Sequence, residues 1–197
     1  SPVMSELTPS ERATLLRLAR ASIADRAGSP GALTLAKAES RLTPALLAVR
    51  GSFVTLHEPP EGPGERAGKL RGCIGTVDAY EALAPSVIRN AAHAAFEDPR
   101  FPPVTREELA DLSIEVSALT ALRPIGGPAE IVVGRDGVEL RKGSFRSVFL
   151  PQVAVEQHWD VGRLLERLAA KAGLPADGWR GADLRTFQAE VFGELTA

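Results

Sequence analysis

Apolar residues return every three to four positions in three stretches of this chain and every second position in a fourth. Those two periods predict helices and a strand respectively. Leu15, Leu16, Leu18, Ala19 and Ile23 form the first helical stripe. Its start is marked by Thr8-Pro9-Ser10-Glu11: a Thr cap, a Pro at the first helical position and a Glu three residues after the cap. Gly28-Ser29-Pro30-Gly31 stops it. Leu83, Val87, Ala91 and Ala95 repeat within residues 81–97 and predict a second helix. Residues 161–172, closed by Gly173, predict a third. Leu112, Ile114, Val116 and Ala118 alternate with Ser113, Glu115 and Ser117, the pattern of a half-buried strand.

Shorter signals fill the intervals. Residues 51–56, 69–77, 131–133, 137–140, 147–150 and 184–195 read as strands, and 44–49, 105–109 and 151–157 as short helices. Residues 58–68, rich in Pro, Gly and charge, form the exposed loop of a long hairpin, while Asp98-Pro99-Arg100-Phe101-Pro102-Pro103 interrupts any helix. Both halves then run strand, strand, helix, helix, strand. The expectation is an α+β fold with duplicated β-β-α-α-β halves at roughly 50–120 and 130–195, in one domain over 8–197 behind a tail at 1–7. Ser1-Pro2-Val3 reads as a cloning remnant before a natural start at Met4.

Composition narrows the function classes. A net charge of −2 and an aromatic content of 5% argue against nucleic-acid binding. No apolar run reaches the length of a membrane span, and the single cysteine excludes an internal disulfide. A soluble, cytoplasmic protein is expected. The three histidines form no HxH, HExxH or CxxC pattern, so neither a metal nor another cofactor is expected.

Chemistry concentrates at Leu70-Arg71-Gly72-Cys73-Ile74-Gly75-Thr76. Glycines inside a strand mark a bulge or a close backbone approach, and here two bracket the only thiol. Cys73 is either a small buried hydrophobe or a thiolate activated by a positive neighbour. Arg71, two residues away, shares its face in a regular strand and is placed to lower the thiol pKa or hold an anion. Gly72 and Gly75 leave backbone amides open to a ligand. His93 is the candidate base for a thiol–imidazole pair, or else an interfacial hydrogen-bonding residue. Arg100 is a second anion-binding candidate, or simply the partner of Asp98 in its turn. Glu115, on the polar face of its strand, either meets solvent or pairs with Arg71 or Arg100.

Taken in order, several segments resemble the AMMECR domain family, protein A of the AmmeMemoRadiSam system: residues 51–56, 70–76, Asp98-Pro-Arg-Phe-Pro-Pro103 and Glu115-Val-Ser117 in the first half, then Gly134-Arg-Asp-Gly137, Leu150-Pro-Gln-Val153 and Ala172-Gly-Leu174 before Trp179. The match spans about Pro9 to Phe192 and departs from the family in the lead-in Lys142-Gly-Ser-Phe-Arg-Ser-Val. The resemblance implies a barrel-like mixed sheet with two lobes and a cleft between them. It implies signature residues Arg71, Gly72, Cys73, Gly75, Thr76, Asp98, Arg100 and Phe101, with Glu115 and Gln152 as weaker members. It also implies a modification pathway shared with a Memo-type protein, similar to extradiol dioxygenases, and a radical SAM enzyme. Two functions are therefore expected in competition. One is a site binding a small anionic or peptide-like ligand around the Cys73 strand. The other is a non-catalytic adaptor that docks those partners.

Overall fold

The computed structural model describes residues 6–65 and 67–195, so the expected start at Met4 and the remnant before it lie outside the described residues. The chain divides into two compact units, one running to Leu119 and resuming at Glu190, the other Thr120–Ala189.

The first unit contains α1 (Pro9–Arg26), α2 (Ala32–Glu39), α3 (Pro44–Leu47), β1 (Ser52–His57), β2 (Leu70–Thr76), α4 (Leu83–Phe96), α5 (Arg106–Leu109) and β3 (Ser113–Leu119). The second contains β4 (Arg123–Pro124), β5 (Gly137–Lys142), β6 (Phe145–Phe149), α6 (Pro151–Glu156), α7 (Val161–Ala172) and β7 (Asp183–Phe187). β8 (Ala189–Gly193) returns to the first sheet, giving strand orders β2-β1-β3-β8 and β4-β7-β5-β6.

The sheets are therefore two, and antiparallel, rather than one barrel-like mixed sheet. The stretch expected as a single strand over 184–195 breaks at Gln188, and that break separates them. The Gln188 amide donates to Thr120 Oγ1 at 2.8 Å, its carbonyl accepts from the Thr120 amide at 2.9 Å, and its Nε2 donates to Asp136 Oδ1 at 2.8 Å. β7 can then pair in one sheet and β8 in the other. Residues 131–133, expected as a strand, instead follow a 3₁₀ turn at Pro128–Glu130. There the Val132 amide is taken by Asp136 Oδ2 at 2.9 Å, and a ladder is not available to it. α2 was missed because its N-cap is Gly31, left-handed at φ 87° and without a side-chain bond.

In the first unit α1 and α4 pack on the sheet face that carries Val54, Leu56, Ile114 and Val116, all essentially inaccessible. α1 begins with the predicted capping box between Thr8 and Glu11. Beneath α4, Asn90 Nδ2 donates to the Ser52 carbonyl at 3.1 Å and Ser86 Oγ lies 2.7 Å from Ser52 Oγ, so buried polar groups on helix and strand satisfy each other. Two glycines fix how closely layers approach. A Cβ on Gly72 would stand 2.1 Å from the Ala94 carbonyl oxygen of α4. A Cβ on Gly75 would enter the ring of Phe53, its cross-strand partner, at 2.2 Å. In the second unit Gly137 stands in the same relation to Phe187, and Val138, Leu140, Leu164, Leu165 and Leu168 form the core.

The C-terminal segment is locked into the first unit by arginines. Buried Arg50 donates to the Leu119 and Ala118 carbonyls and to Glu190 Oε2 at 3.0 Å, and Arg20 joins the Leu112 carbonyl to Glu194.

The two glycines separate cleanly by experiment. Gly72→Ala and Gly75→Ala each destabilise by about 1–3 kcal/mol through overpacking. Adding Phe53→Leu recovers stability in the Gly75→Ala background only, because the obstacle at Gly72 is backbone. Urea unfolding of the two double-mutant cycles checks this, and equal coupling in both would contradict it.

Candidate functional site

β2 lies at the edge of its sheet, paired to β1 alone. An edge strand presents alternate N–H and C=O groups outward without a ladder partner. At Cys73 both outward groups are held. Its amide donates to Asp98 Oδ2 at 3.0 Å and its carbonyl accepts from Arg100 Nη2 at 3.5 Å. Asp98 binds Arg100 in turn, accepting from its amide at 3.1 Å, its Nε at 3.0 Å and its Nη2 at 2.8 Å. The Asp98–Arg100 pair thus stands in for one residue of a neighbouring strand. α4 ends at Phe96 and Pro99 prevents its continuation, which delivers Asp98 to that edge. Almost fully buried, Asp98 has its carboxyl pulled down to about 2, chiefly by Arg100 and then by the Cys73 amide, against the cost of burial.

Two residues along, the N–H and C=O of Gly75 also point outward by the same alternation. Among the described residues they have no hydrogen-bond partner. The Phe53 ring lies over Gly75 on the face away from the helices, so an open stretch of backbone sits beside an aromatic surface.

The Cys73 side chain points to that same face. Cys73 stands opposite Thr55, and Thr55 opposite Glu115, forming a cross-strand row. Thr55 Oγ1 lies 3.3 Å from the thiol. Burial pushes the thiol pKa up, and the Asp98 and Glu115 carboxylates add to it; the Thr55 bond and the Arg100 charge oppose this without reversing it. A raised pKa favours the thiol over the thiolate, in a residue that is half-buried rather than enclosed.

Arg71 does not join that row. The register slips between Leu56 and His57, which pair with Gly72 and Leu70 and leave Arg71 as the extra residue of a bulge. Bulges re-aim side chains. This one sends the Arg71 guanidinium, in a residue only 6% exposed, into a bidentate pair with Glu108 of α5, its Nη2 donating to Oε2 at 3.1 Å. Glu108 also accepts from the Thr105 amide as part of a capping box. Burial pushes the Glu108 carboxyl up, but the Arg71 and Thr105 bonds outweigh it and leave its pKa lowered.

His93 is likewise not brought to the thiol. α4 covers the Gly72 face of β2, Cys73 points to the other, and His93 Nε2 pairs with Glu97 at 2.9 Å. Thr76, on the helix side, accepts from Arg89 Nη2 at 3.0 Å. The Phe101 ring sits 5.4 Å from the Arg100 guanidinium carbon. Gln152 belongs to α6 in the second unit, with its Oε1 buried and, among the described residues, without a hydrogen-bond partner. Three contributors were missed from sequence: Thr55, Phe53 and Glu108. Only Glu108 carried a signal, the Thr105-x-x-Glu108 capping box. Among the described residues no three His, Cys, Asp or Glu side chains are grouped to hold a metal ion, and no helix is long and apolar enough to cross a membrane.

A family model described as AMMECR1 matches residues 16–192. Among similar proteins, one from Thermococcus gammatolerans is 46% identical over 158 residues, covering 77% of this chain and 76% of that protein. One from Thermofilum pendens is 38% identical over 203 residues, covering 98% and 94%. The crystal structure of the uncharacterized protein PH0010 from Pyrococcus horikoshii superposes with a TM-score of 0.76 at 38% identity, over 91% of this chain and 89% of that one.

The Asp98 carboxylate has a defined pH signature. Its folded pKa is depressed from 3.8 to about 2, so its stabilisation is complete above pH 3.8 and lost as pH falls toward 2. Asp98→Asn therefore costs at most roughly 2 kcal/mol at neutral pH, since solvent reaches Arg100 and screens the pair. The gap from wild type closes through that acid window in urea unfolding at stepped pH. A gap independent of pH would contradict the assignment.

Proposed function

The chain belongs to the AMMECR1 family, and on that footing we propose that it binds a small anionic or peptide-like ligand, without covalent chemistry, along the outer edge of β2. The observation carrying this reading is the open N–H and C=O of Gly75 beside a Cys73 whose own outward groups are already occupied. An extended ligand adds to such an edge as a further strand, its backbone supplying affinity and its side chains specificity. Gly75 meets it without a side chain in the way, and the Phe53 ring provides an apolar surface. Arg100, with 57% of its side chain exposed although bound to Asp98, stands beside the same edge to receive a carboxylate. The protonated Cys73 thiol serves as a selectivity contact rather than a nucleophile.

The matching sheet orders β2-β1-β3 and β6-β5-β7, each built strand, strand, helix, helix, strand, support reading the two as duplicated halves. The raised pKa of the thiol also favours a second reading. In it the same edge accepts a strand of a Memo-type or radical SAM partner, and the chain is an adaptor in their modification pathway.

Titration of isotope-labelled protein with short β-prone peptides, each with a free and an amidated C-terminus, tests the first reading by NMR. Shifts are expected at Gly75 and Thr76, with tighter binding of the free carboxylates and loss of that preference in Arg100→Gln. Cys73→Ser keeps the binding, and iodoacetamide reacts with Cys73 more slowly than with free cysteine. Shifts that avoid Gly75, or fast alkylation together with loss of binding in Cys73→Ser, would count against it. Perturbation of the same residues by a partner protein but by no peptide would favour the adaptor.

A further inference from the structure

Between α1, α2 and α4 the first unit holds a pocket of about 370 Å³ that the β2 edge does not use. That volume falls at the small end of the range for small-molecule sites, about 300–1,000 Å³. Its walls are Leu18, Leu42, Ala84, Pro85 and Ile88, so nearly all of its surface is hydrocarbon. Leu18 is 1% exposed and lies at the base, whereas Leu42, in the link between α2 and α3, is 43% exposed at the rim. A rim leucine left that open contributes little until something apolar covers it.

The two remaining lining residues are cations, Lys37 and Arg89. Arg89 is already committed: its guanidinium pairs with Glu81 at 2.6 Å, donates to Thr76 Oγ1 and lies over the Tyr80 ring. The ammonium of Lys37, near the end of α2, has no ion pair or hydrogen bond among the described residues. The pocket therefore offers an apolar interior and one uncompensated positive charge at its mouth. We propose that it binds a small amphipathic monocarboxylate, an aliphatic or aromatic acid, with the hydrocarbon against Leu18 and Ile88 and the carboxylate at the Lys37 ammonium. A neutral ligand would leave the lysine unmatched, and a cationic one would be repelled by it. A dianion would find only one free charge.

Calorimetric titration with octanoate, kept below its micelle concentration, tests this beside octanol and octylammonium. Octanoate is expected to bind one per chain and more tightly than octanol, with octylammonium weakest. Lys37→Ala should weaken octanoate by about fivefold and leave octanol unchanged. Leu42→Asp, at an exposed position where folding is not at issue, should repel octanoate and reproduce or exceed that loss. Ala84→Phe fills the interior and should abolish binding of octanoate and octanol alike; if it fails to fold, Leu42→Asp decides alone. The proposal is overturned if octanoate does not bind up to about 10 mM. It is equally overturned if octanoate binds no better than octanol, or if Lys37→Ala and Leu42→Asp leave its affinity as it was.

Discussion

The Asp98 carboxylate is shared between the Cys73 amide and the Arg100 guanidinium, and it reaches that position because α4 lies hard against Gly72. The helix can come so close only where the strand lacks a Cβ, since an added atom would stand 2.1 Å from the Ala94 carbonyl. Four residues beyond Ala94 the chain turns at Asp98, and Pro99 makes that turn obligatory. One close backbone contact thus places a charged residue beside a sheet edge. The charge is affordable there because it is met at once by an arginine and a backbone donor.

The consequence is an edge strand that is half closed. Cys73 is capped by a side-chain pair that imitates a neighbouring strand, while the outward groups of Gly75 are left open. Exposed edges invite unwanted pairing, and proteins usually blunt them with charge, bulges or covering loops. This protein uses all three around β2: Arg100 in the loop, the bulge at Arg71 and the turn from Asp98 to Phe101. That Gly75 escapes them is what singles it out. The same geometry accounts for the raised pKa of the thiol. It lies half-buried beside Thr55, and the Arg100 charge that would lower its pKa is already paired with Asp98.

Much of the scaffold was legible in the residues. The Thr8 capping box, the Thr105 cap, the α4 stripe and the alternation along β3 all have local causes, and each element formed where its pattern placed it. Glycine spacing pointed to Cys73 and turn chemistry offered an Asp98–Arg100 pair, whereas grouping the three in one site rested on the family resemblance. What failed depended on distant partners. The strand break at Gln188 needs Thr120 and Asp136, far away in sequence, and without it two sheets cannot be told from one. The bulge that removes Arg71 from the thiol's face needs Glu108 to receive the guanidinium. His93 sits on the correct helix, but that helix meets Gly72, through the Ala94 backbone, rather than the face that carries Cys73.

Native-state amide hydrogen exchange at two residues of β2 tests the central claim, a strand edge capped at Cys73 and open at Gly75. The account predicts slow exchange of the Cys73 amide, made fast by Asp98→Ala, and fast exchange of the Gly75 amide in both proteins. A Gly75 amide protected as strongly as that of Cys73, or a Cys73 amide indifferent to the loss of Asp98, would contradict it.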